Sequence, residues 1–174
     1  MKKIFYGRAV YDQKEINAVN KVLKKESLTL IDGKNVKKLE NIIAKIFGKK
    51  YGLMVNSGSS ANLLALSSLK LKKGSEVITP TLTFSTTVAP IYQLGLIANF
   101  VGVLNNKFIA DPEQIKKAIN KKTSAIMIPN LLGNIADWKV IYDIAKKKKI
   151  PVIEDSADTI GYKYKKGNTG KFSD

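Results

Sequence analysis

Short apolar runs alternate with longer amphipathic segments through most of this chain, and that alternation limits the folds open to it. The short runs, which predict β-strands, cover 76–79, 98–101, 125–128 and 150–154. The longer segments, which predict α-helices, cover 12–25, 35–47, 84–94, 112–120 and 137–148. Strands that alternate with helices form a mostly parallel sheet covered on both faces. We therefore expect an α/β fold whose ligands bind beyond the carboxyl ends of the strands.

The segment 52–62 predicts a phosphate-binding turn. An apolar run at 53–55, which we expect to be a further strand, is followed by Ser57, Gly58 and Ser59, and a helical pattern then begins. The N–H groups of a helix's first turn and the helix dipole together attract a phosphate dianion. A serine N-cap in an ordinary turn explains the same residues without a ligand, and both interpretations stay open at this point.

A second polar feature lies far along the chain. Asp155 directly follows the last apolar run, so we expect it at the carboxyl end of a strand, on the edge where the phosphate turn's ligand would lie. Asp158 follows three residues later. A carboxylate at this place can pair with a protonated ring nitrogen. The alternative is an N-cap aspartate for a short turn.

Charge and composition narrow the partners. The formal charge is +16, but Arg8 is the single arginine among 30 basic residues, whereas proteins that read bases rely on arginine forks. We therefore expect no nucleic acid, and we interpret the positive surface as attracting an anionic substrate such as a nucleotide-linked sugar. Cysteine is absent, and neither a signal peptide nor a membrane-spanning run is visible. We expect a cytoplasmic protein with no metal site and no membrane partner.

The phosphate turn and Asp155 together resemble the fold-type-I pyridoxal-phosphate (PLP) enzymes. Nearly the whole chain is similar to one group of them, the DegT/StrS-type nucleotide-sugar aminotransferases and 3-dehydratases. The order and spacing of the motifs are specific to this group. The matching stretches are 6–8, 28–29, 56–62, 74–80, 83–87, 123–128, 132–134, 153–155 and 170–174. The resemblance implies the large domain of an aspartate-aminotransferase-like fold, with a sheet between layers of helices.

The resemblance also implies a site for PLP or pyridoxamine 5′-phosphate (PMP). Gly58 and Ser59, with Ser57 nearby, would bind the cofactor's phosphate. Phe84 would stack on the pyridine ring, which is flat and electron-poor. Without the resemblance, Phe84 is most simply a core aromatic residue.

Three further roles follow from the same resemblance. Asp155 would pair with the pyridine nitrogen and make the ring an electron sink. Asp158 would lie near the ring's phenolic oxygen or the substrate, and Thr29 would lie near the substrate. Asp155 and Asp158 are the catalytic candidates among the residues present.

Three positions favour the 3-dehydratase branch of the group. Its aminotransferases carry Ser-Gly-Thr in the phosphate turn, Tyr-Gly-His or Tyr-Gly-Gln at 132–134, and Gln at 158. This chain has Ser59, Leu132-Gly-Asn134 and Asp158 instead. The 3-dehydratases replace the Schiff-base lysine with histidine, which cannot form the covalent link but can act as a base. We expect an enzyme of deoxysugar and surface-polysaccharide (lipopolysaccharide) synthesis that acts on a nucleotide-linked 4-keto-6-deoxysugar. A nucleotide-sugar aminotransferase is the alternative.

The resemblance further implies how the chain is organised. Residues 1–34 would form an N-terminal arm and helix, and 35–174 an incomplete α/β core without the C-terminal small domain. The Schiff-base lysine or histidine is expected a short way beyond 170–174, so we expect this chain to be inactive alone. Family members are usually homodimers, and the full-length form is expected to be one.

Two other classes remain possible from the residues alone. One is a non-catalytic module that binds phosphate or a partner protein. The other is an unrelated doubly wound nucleotide-binding domain, which predicts a Gly-x-Gly-x-x-Gly turn that is absent from the chain.

Overall fold

A four-stranded parallel sheet lies at the centre of the computed structural model, which describes residues 7–25, 30–164 and 167–174. The strands are β1 (Glu76–Pro80), β2 (Ile97–Val101), β3 (Thr123–Pro129) and β4 (Val152–Asp155). Their order across the sheet is β2-β1-β3-β4, and every neighbouring pair is parallel. The predicted α/β class and the parallel sheet are confirmed.

The described residues also form six α-helices and a short hairpin. The helices are α1 (Gln13–Lys25), α2 (Lys34–Ile46), α3 (Gly58–Ser68), α4 (Ser85–Gln93), α5 (Pro112–Ala118) and α6 (Trp138–Lys148). A 3-10 turn spans Leu131–Gly133. The antiparallel hairpin is formed by β5 (Lys163–Tyr164) and β6 (Gly167–Asn168). The described helices and strands lie within a few residues of the predicted limits, apart from the segment 53–55.

Hydrophobic clusters fill both faces of the sheet. Because successive side chains of a strand point to opposite faces, Val77 and Ile78 belong to different clusters. On the α5/α6 face the largest buried side chains are Ile78, Ile115, Ile126, Ile128, Trp138 and Ile141. On the α3/α4 face the buried residues are Leu66, Val77, Ile91, Leu96, Ala125 and Met127. Helices therefore cover both faces, as a buried parallel sheet requires.

The first helix is held locally by its cap rather than by packing. The Asp12 carboxylate accepts a hydrogen bond from the Lys14 N–H at 2.6 Å, and the Glu15 carboxylate accepts one from the Asp12 N–H at 2.7 Å. These reciprocal contacts satisfy two N–H groups at the start of the helix. No residue of α1 is buried, and Val19 and Leu23 on its apolar face are 58% and 54% exposed.

The predicted strand at 53–55 is wrong. These residues are in irregular backbone, and Leu53 is 77% exposed. The Met54 N–H is bonded not to a strand but to the Glu40 side chain of α2, at 2.8 Å. Gly52 comes so close to α2 that a Cβ atom there would lie 2.4 Å from the Glu40 carbonyl oxygen. The backbone of this segment is therefore bonded to α2 and not to the sheet, and the side chains of Leu53 and Met54 are exposed.

No helix within 7–25, 30–164 or 167–174 is both long enough and apolar enough to span a bilayer.

Replacement of Ile126 by alanine should destabilise the protein strongly, since this side chain is fully buried in β3 at the middle of the sheet. We expect a loss of about 2–5 kcal/mol in the free energy of unfolding, measured by urea denaturation followed by circular dichroism. The matched control is Ile160→Ala, because Ile160 is 64% exposed; its effect should stay within about 0.5 kcal/mol. Equal losses for the two variants would contradict the packing described here.

Candidate active site

Asp155 lies at the carboxyl end of β4, where its carboxylate joins three elements. Its Oδ2 atom accepts hydrogen bonds from the Asn62 side-chain amide of α3 at 2.8 Å and from the Thr87 hydroxyl of α4 at 2.9 Å. Its Oδ1 atom accepts one from the Ala157 N–H at 3.2 Å. The carboxylate points to the α3/α4 face of the sheet and is fixed there by donors from three places in the sequence.

The predicted phosphate turn leads directly into α3. Ser57 is the N-cap of this helix, and its hydroxyl oxygen accepts a hydrogen bond from the Ser60 N–H at 3.2 Å. Gly58 and Ser59 follow in the first turn and are exposed, and a Cβ atom on Gly58 would meet nothing within 4 Å. The N-cap interpretation of Ser57 is therefore correct as local structure. The exposed first turn also leaves room for an anion.

The turn and Asp155 lie close together because Asn62 connects them. Asn62 is four residues after Gly58 on the same helix, which is a rise of roughly 6 Å. The structure therefore brings the serine turn and the Asp155 carboxylate to one end of the sheet, on one face.

A cavity of about 460 Å³ opens beside these groups, between α2, α3 and β4. Gly58, Asn62, Asp155 and Ala157 are among the residues that line it, together with apolar residues of α2 and α3. A cavity that combines apolar walls with a few convergent polar groups is typical of a small-molecule site.

Phe84 is not a core aromatic residue. It is the N-cap residue of α4, its side chain is 66% exposed, and its carbonyl oxygen accepts the Thr87 N–H at 3.0 Å. Thr87 in turn holds Asp155. An exposed aromatic ring is thus attached, through one helical turn, to the residue that fixes the carboxylate.

Asp158 contacts the loop that follows β3. Its Oδ2 atom accepts a hydrogen bond from the Leu132 N–H at 2.8 Å. Leu132 has a positive φ of 53° and its side chain is 68% exposed. Leu132 and Asp158 occupy two of the positions at which the sequence departs from the aminotransferase pattern, and here they touch. Thr29, the predicted substrate contact, lies outside the described residues.

Sequence reasoning missed a second carboxylate of the same strand. Glu154 accepts hydrogen bonds from the Asn130 side chain at 2.9 Å, the Ser156 hydroxyl at 2.7 Å and the Gly170 N–H at 2.8 Å. Asn130 is fully buried, and its Oδ1 atom accepts the Trp138 indole N–H at 2.8 Å. Asn130 directly follows β3, just as Asp155 ends β4. The rule that ligands bind beyond the carboxyl ends of parallel strands could therefore have identified Asn130 from the sequence.

Lys49 also lines the cavity, and it contacts Ser173 and Asp174. Its ammonium group donates hydrogen bonds to the carbonyl oxygens of Ser173 and Asp174, at 2.5 and 3.3 Å. Burial lowers the pKa of Lys49 from its ordinary value of 10.5, while the nearby carboxylates of Glu154 and Asp174 oppose that shift. The wall of the cavity therefore includes a partly desolvated cation.

Residues 10–174 match the DegT/DnrJ/EryC1/StrS aminotransferase family. The chain belongs to this family. The resemblance inferred from the motifs is thereby confirmed.

Curated relatives of this family member include enzymes of two kinds. It is 39% identical over 159 residues to a GDP-4-keto-6-deoxy-D-mannose 3-dehydratase of Yersinia pseudotuberculosis, covering 88% of this chain and 40% of the relative. It is 37% identical over 142 residues to a GDP-perosamine synthase of Escherichia coli O157:H7, covering 82% of this chain and 39% of the relative. The chain thus spans about two fifths of the length of these relatives.

A solved structure of similar fold contains the bound cofactor. It is an E. coli GDP-4-keto-6-deoxy-D-mannose-3-dehydratase with bound hydrated PLP, and it superposes with a TM-score of 0.87 at 37% identity. The match covers 95% of this chain and 44% of that chain. The fold expected from the resemblance, that of the PLP-dependent transferases, is confirmed over the part that the two share.

Replacement of Ser57 by alanine should remove the cap of α3. We expect a loss of about 1 kcal/mol in the free energy of unfolding, because the Ser60 N–H loses its acceptor. Ser59→Ala in the same turn is the control, and urea denaturation should show a change below about 0.5 kcal/mol. A loss at Ser59 as large as that at Ser57 would contradict the assignment of the cap.

Proposed function

We propose that this chain forms the PLP-binding part of an enzyme that acts on a nucleotide-linked 4-keto-6-deoxysugar, and that the reaction is 3-dehydration. One observation supports the cofactor site above all others. The Asp155 carboxylate is held by Asn62 of α3, the helix whose N-terminus is the serine turn. Groups suited to the two ends of PLP or PMP, its phosphate and its ring nitrogen, therefore lie at one end of the sheet.

The residues fit the cofactor chemically. The exposed first turn of α3, with Ser57, Gly58 and Ser59, offers N–H groups and the positive end of a helix dipole to a phosphate. Asp155 offers a carboxylate to the ring nitrogen, and the exposed ring of Phe84 offers a stacking surface. When bound, PLP supplies an electron sink for the bonds of the substrate that it holds.

We place the substrate next to the two residues that the family pattern associates with it. Asp158 would lie near the ring's phenolic oxygen or the sugar, and its contact with Leu132 supports a location at the edge of the site. Thr29 would contact the sugar from the N-terminal segment. The formal charge of +16 would attract the nucleotide's phosphates from solution.

The dehydratase is preferred to the aminotransferase on the identity of three positions. Ser59, Leu132-Gly-Asn134 and Asp158 follow the dehydratase pattern, and the 3-dehydratase of Y. pseudotuberculosis is 39% identical. Amino transfer remains the alternative reaction, because the chain is also 37% identical to a GDP-perosamine synthase. The residue at the family's Schiff-base position, beyond 170–174, separates the two. Histidine there supports dehydration, and lysine supports amino transfer.

The wider setting of the enzyme belongs to the same proposal. Residues 1–34 would be an N-terminal arm and helix, and 35–174 part of the PLP-binding large domain. The enzyme would act in the cytoplasm as a homodimer, in the synthesis of deoxysugars for a surface polysaccharide such as lipopolysaccharide. A catalytically dead fragment that binds the cofactor is the further alternative.

Binding of the cofactor tests the proposal directly. PMP is the better probe, because its amine cannot condense with the chain's many lysines as the PLP aldehyde can. We expect the chain to bind PMP, and Asp155→Asn to weaken binding about 10- to 100-fold, since hydrogen bonds to charged groups contribute about 1.5–3 kcal/mol. Isothermal titration calorimetry measures both.

Asp143→Asn is the matched control for this titration. Asp143 is a carboxylate on α6 whose partner is Lys139, four residues earlier, so its loss should leave PMP affinity unchanged. If the wild-type chain did not bind PMP, or if the two variants bound it equally well, the proposed cofactor site would be wrong.

Catalysis tests the second half of the proposal. The 174 residues contain no histidine, and no lysine in them matches the family's Schiff-base position. We therefore expect no steady turnover when the chain is mixed with PLP, glutamate and a GDP-linked 4-keto-6-deoxysugar. Product formation is followed by chromatography, with the Y. pseudotuberculosis dehydratase as positive control. More than one product molecule per chain would show that a group within these residues performs the proton transfer.

A further inference from the structure

We propose that Asn62 is a positioning residue which, together with Thr87, turns the Asp155 carboxylate so that its Oδ1 atom faces the cofactor's ring nitrogen. This inference rests on the proposed function. It concerns residues to which the motifs assigned no role.

Asn62 is held in one orientation. It is 8% exposed, and its side-chain NH₂ group donates to Asp155 Oδ2 at 2.8 Å and to the Thr86 carbonyl oxygen at 3.2 Å. An asparagine amide has two N–H donors, so both are used. Rotation of the side chain would break both bonds at a buried position, which is costly.

Thr87 adds a second donor to the same oxygen. It is fully buried, and its hydroxyl donates to Asp155 Oδ2 at 2.9 Å. The two donors come from different helices, α3 and α4, which pack against the same face of the sheet. The position of Oδ2 is therefore set by two elements rather than by a flexible loop.

The other carboxylate oxygen remains available. A carboxylate oxygen has about two acceptor sites. On Oδ2 both are filled, by Asn62 and Thr87, whereas the described contacts fill one site on Oδ1, by the Ala157 N–H at 3.2 Å. A donor that approaches Asp155 from the cavity therefore finds its acceptor on Oδ1. Loss of Asn62 or Thr87 would free Oδ2 and allow the carboxylate plane to turn.

Ring-nitrogen NMR distinguishes this role from a structural one. PMP labelled with ¹⁵N in the ring reports whether that nitrogen is protonated and hydrogen-bonded. In Asn62→Leu we expect PMP affinity to fall on the order of tenfold. We also expect the ¹⁵N signal to move from the protonated towards the unprotonated position. Thr87→Val should change both quantities in the same direction, and Thr87→Ser, which keeps the hydroxyl, should restore them.

The matched control is Asn99→Leu. Like Asn62, Asn99 donates to one carboxylate and one carbonyl oxygen. Its acceptors are Glu76 Oε2 at 3.0 Å and the Ala118 carbonyl at 3.2 Å. Glu76 begins β1, so this amide lies towards the amino ends of the strands, away from Asp155. Asn99→Leu should lower the stability of the fold, and leave PMP affinity and the ¹⁵N signal of bound PMP unchanged.

The outcomes separate this inference from the proposed function. If the wild-type chain binds PMP and Asp155→Asn weakens that binding, the proposed cofactor site is supported. An unchanged ¹⁵N signal in folded Asn62→Leu or Thr87→Val would then overturn only the positioning role. Failure of the wild-type chain to bind PMP would overturn both. If Asn62→Leu does not fold, the comparison of Thr87→Val with Thr87→Ser decides.

Discussion

The hydrogen bonds that converge on Asp155 are the contacts on which the rest of the site depends. They link β4, at the edge of the described sheet, to α3 and α4, although the three segments are 93 and 68 residues apart in sequence. An ionised acceptor makes such bonds shorter and stronger than neutral ones. Asn62 and Thr87 therefore hold the two helices and the strand tip together, and with them the serine turn that begins α3 and the Phe84 ring that precedes α4.

Hydrogen bonds on the opposite face of the sheet also fix the end of β4. Glu154 points away from Asp155, because neighbouring residues of a strand alternate, and it binds Asn130, Ser156 and the Gly170 N–H. Asn130 is itself held by the Trp138 indole. Each of two adjacent carboxylates thus has three donors. A site residue supported in this way keeps its geometry without help from a ligand, which is the condition for a preorganised site.

The sequence predicted the elements better than the contacts between them. Apolar runs and helical periodicity gave the strands and helices, and the position of Asp155 after an apolar run placed it at a strand's carboxyl end. The strand predicted at 53–55 was wrong, since three apolar residues do not distinguish a strand from an irregular segment whose backbone is hydrogen-bonded to α2. The roles of Asn62 and Thr87 could not be predicted, because a hydrogen bond between distant segments has no periodic signature.

For Phe84, the sequence predicted the position in the fold but not the exposure of the side chain. An aromatic residue between a strand and a helix is usually counted as core, and only the fold shows that its side chain is 66% exposed. Its place beside Thr87 follows from the start of α4, which the predicted helix limits gave to within one residue. Local pattern therefore located the residue, whereas its exposure depended on how α4 packs.

The contact between Asp158 and Leu132 joins two of the places at which the chain departs from the aminotransferase pattern. Leu132 has a positive φ, and its N–H donates a hydrogen bond to the Asp158 carboxylate. A glutamine at 158 would carry its acceptor one carbon further from the backbone, and the loop at 132–134 would have to move to meet it. The residue at 158 is therefore linked to the position of the loop at 132–134, whereas Ser59 lies apart from both, in the first turn of α3. The bond uses the backbone N–H of Leu132, so it does not constrain which side chain stands at 132. The preference for dehydration rests on all three departures, and the residue at the Schiff-base position carries more weight than any of them.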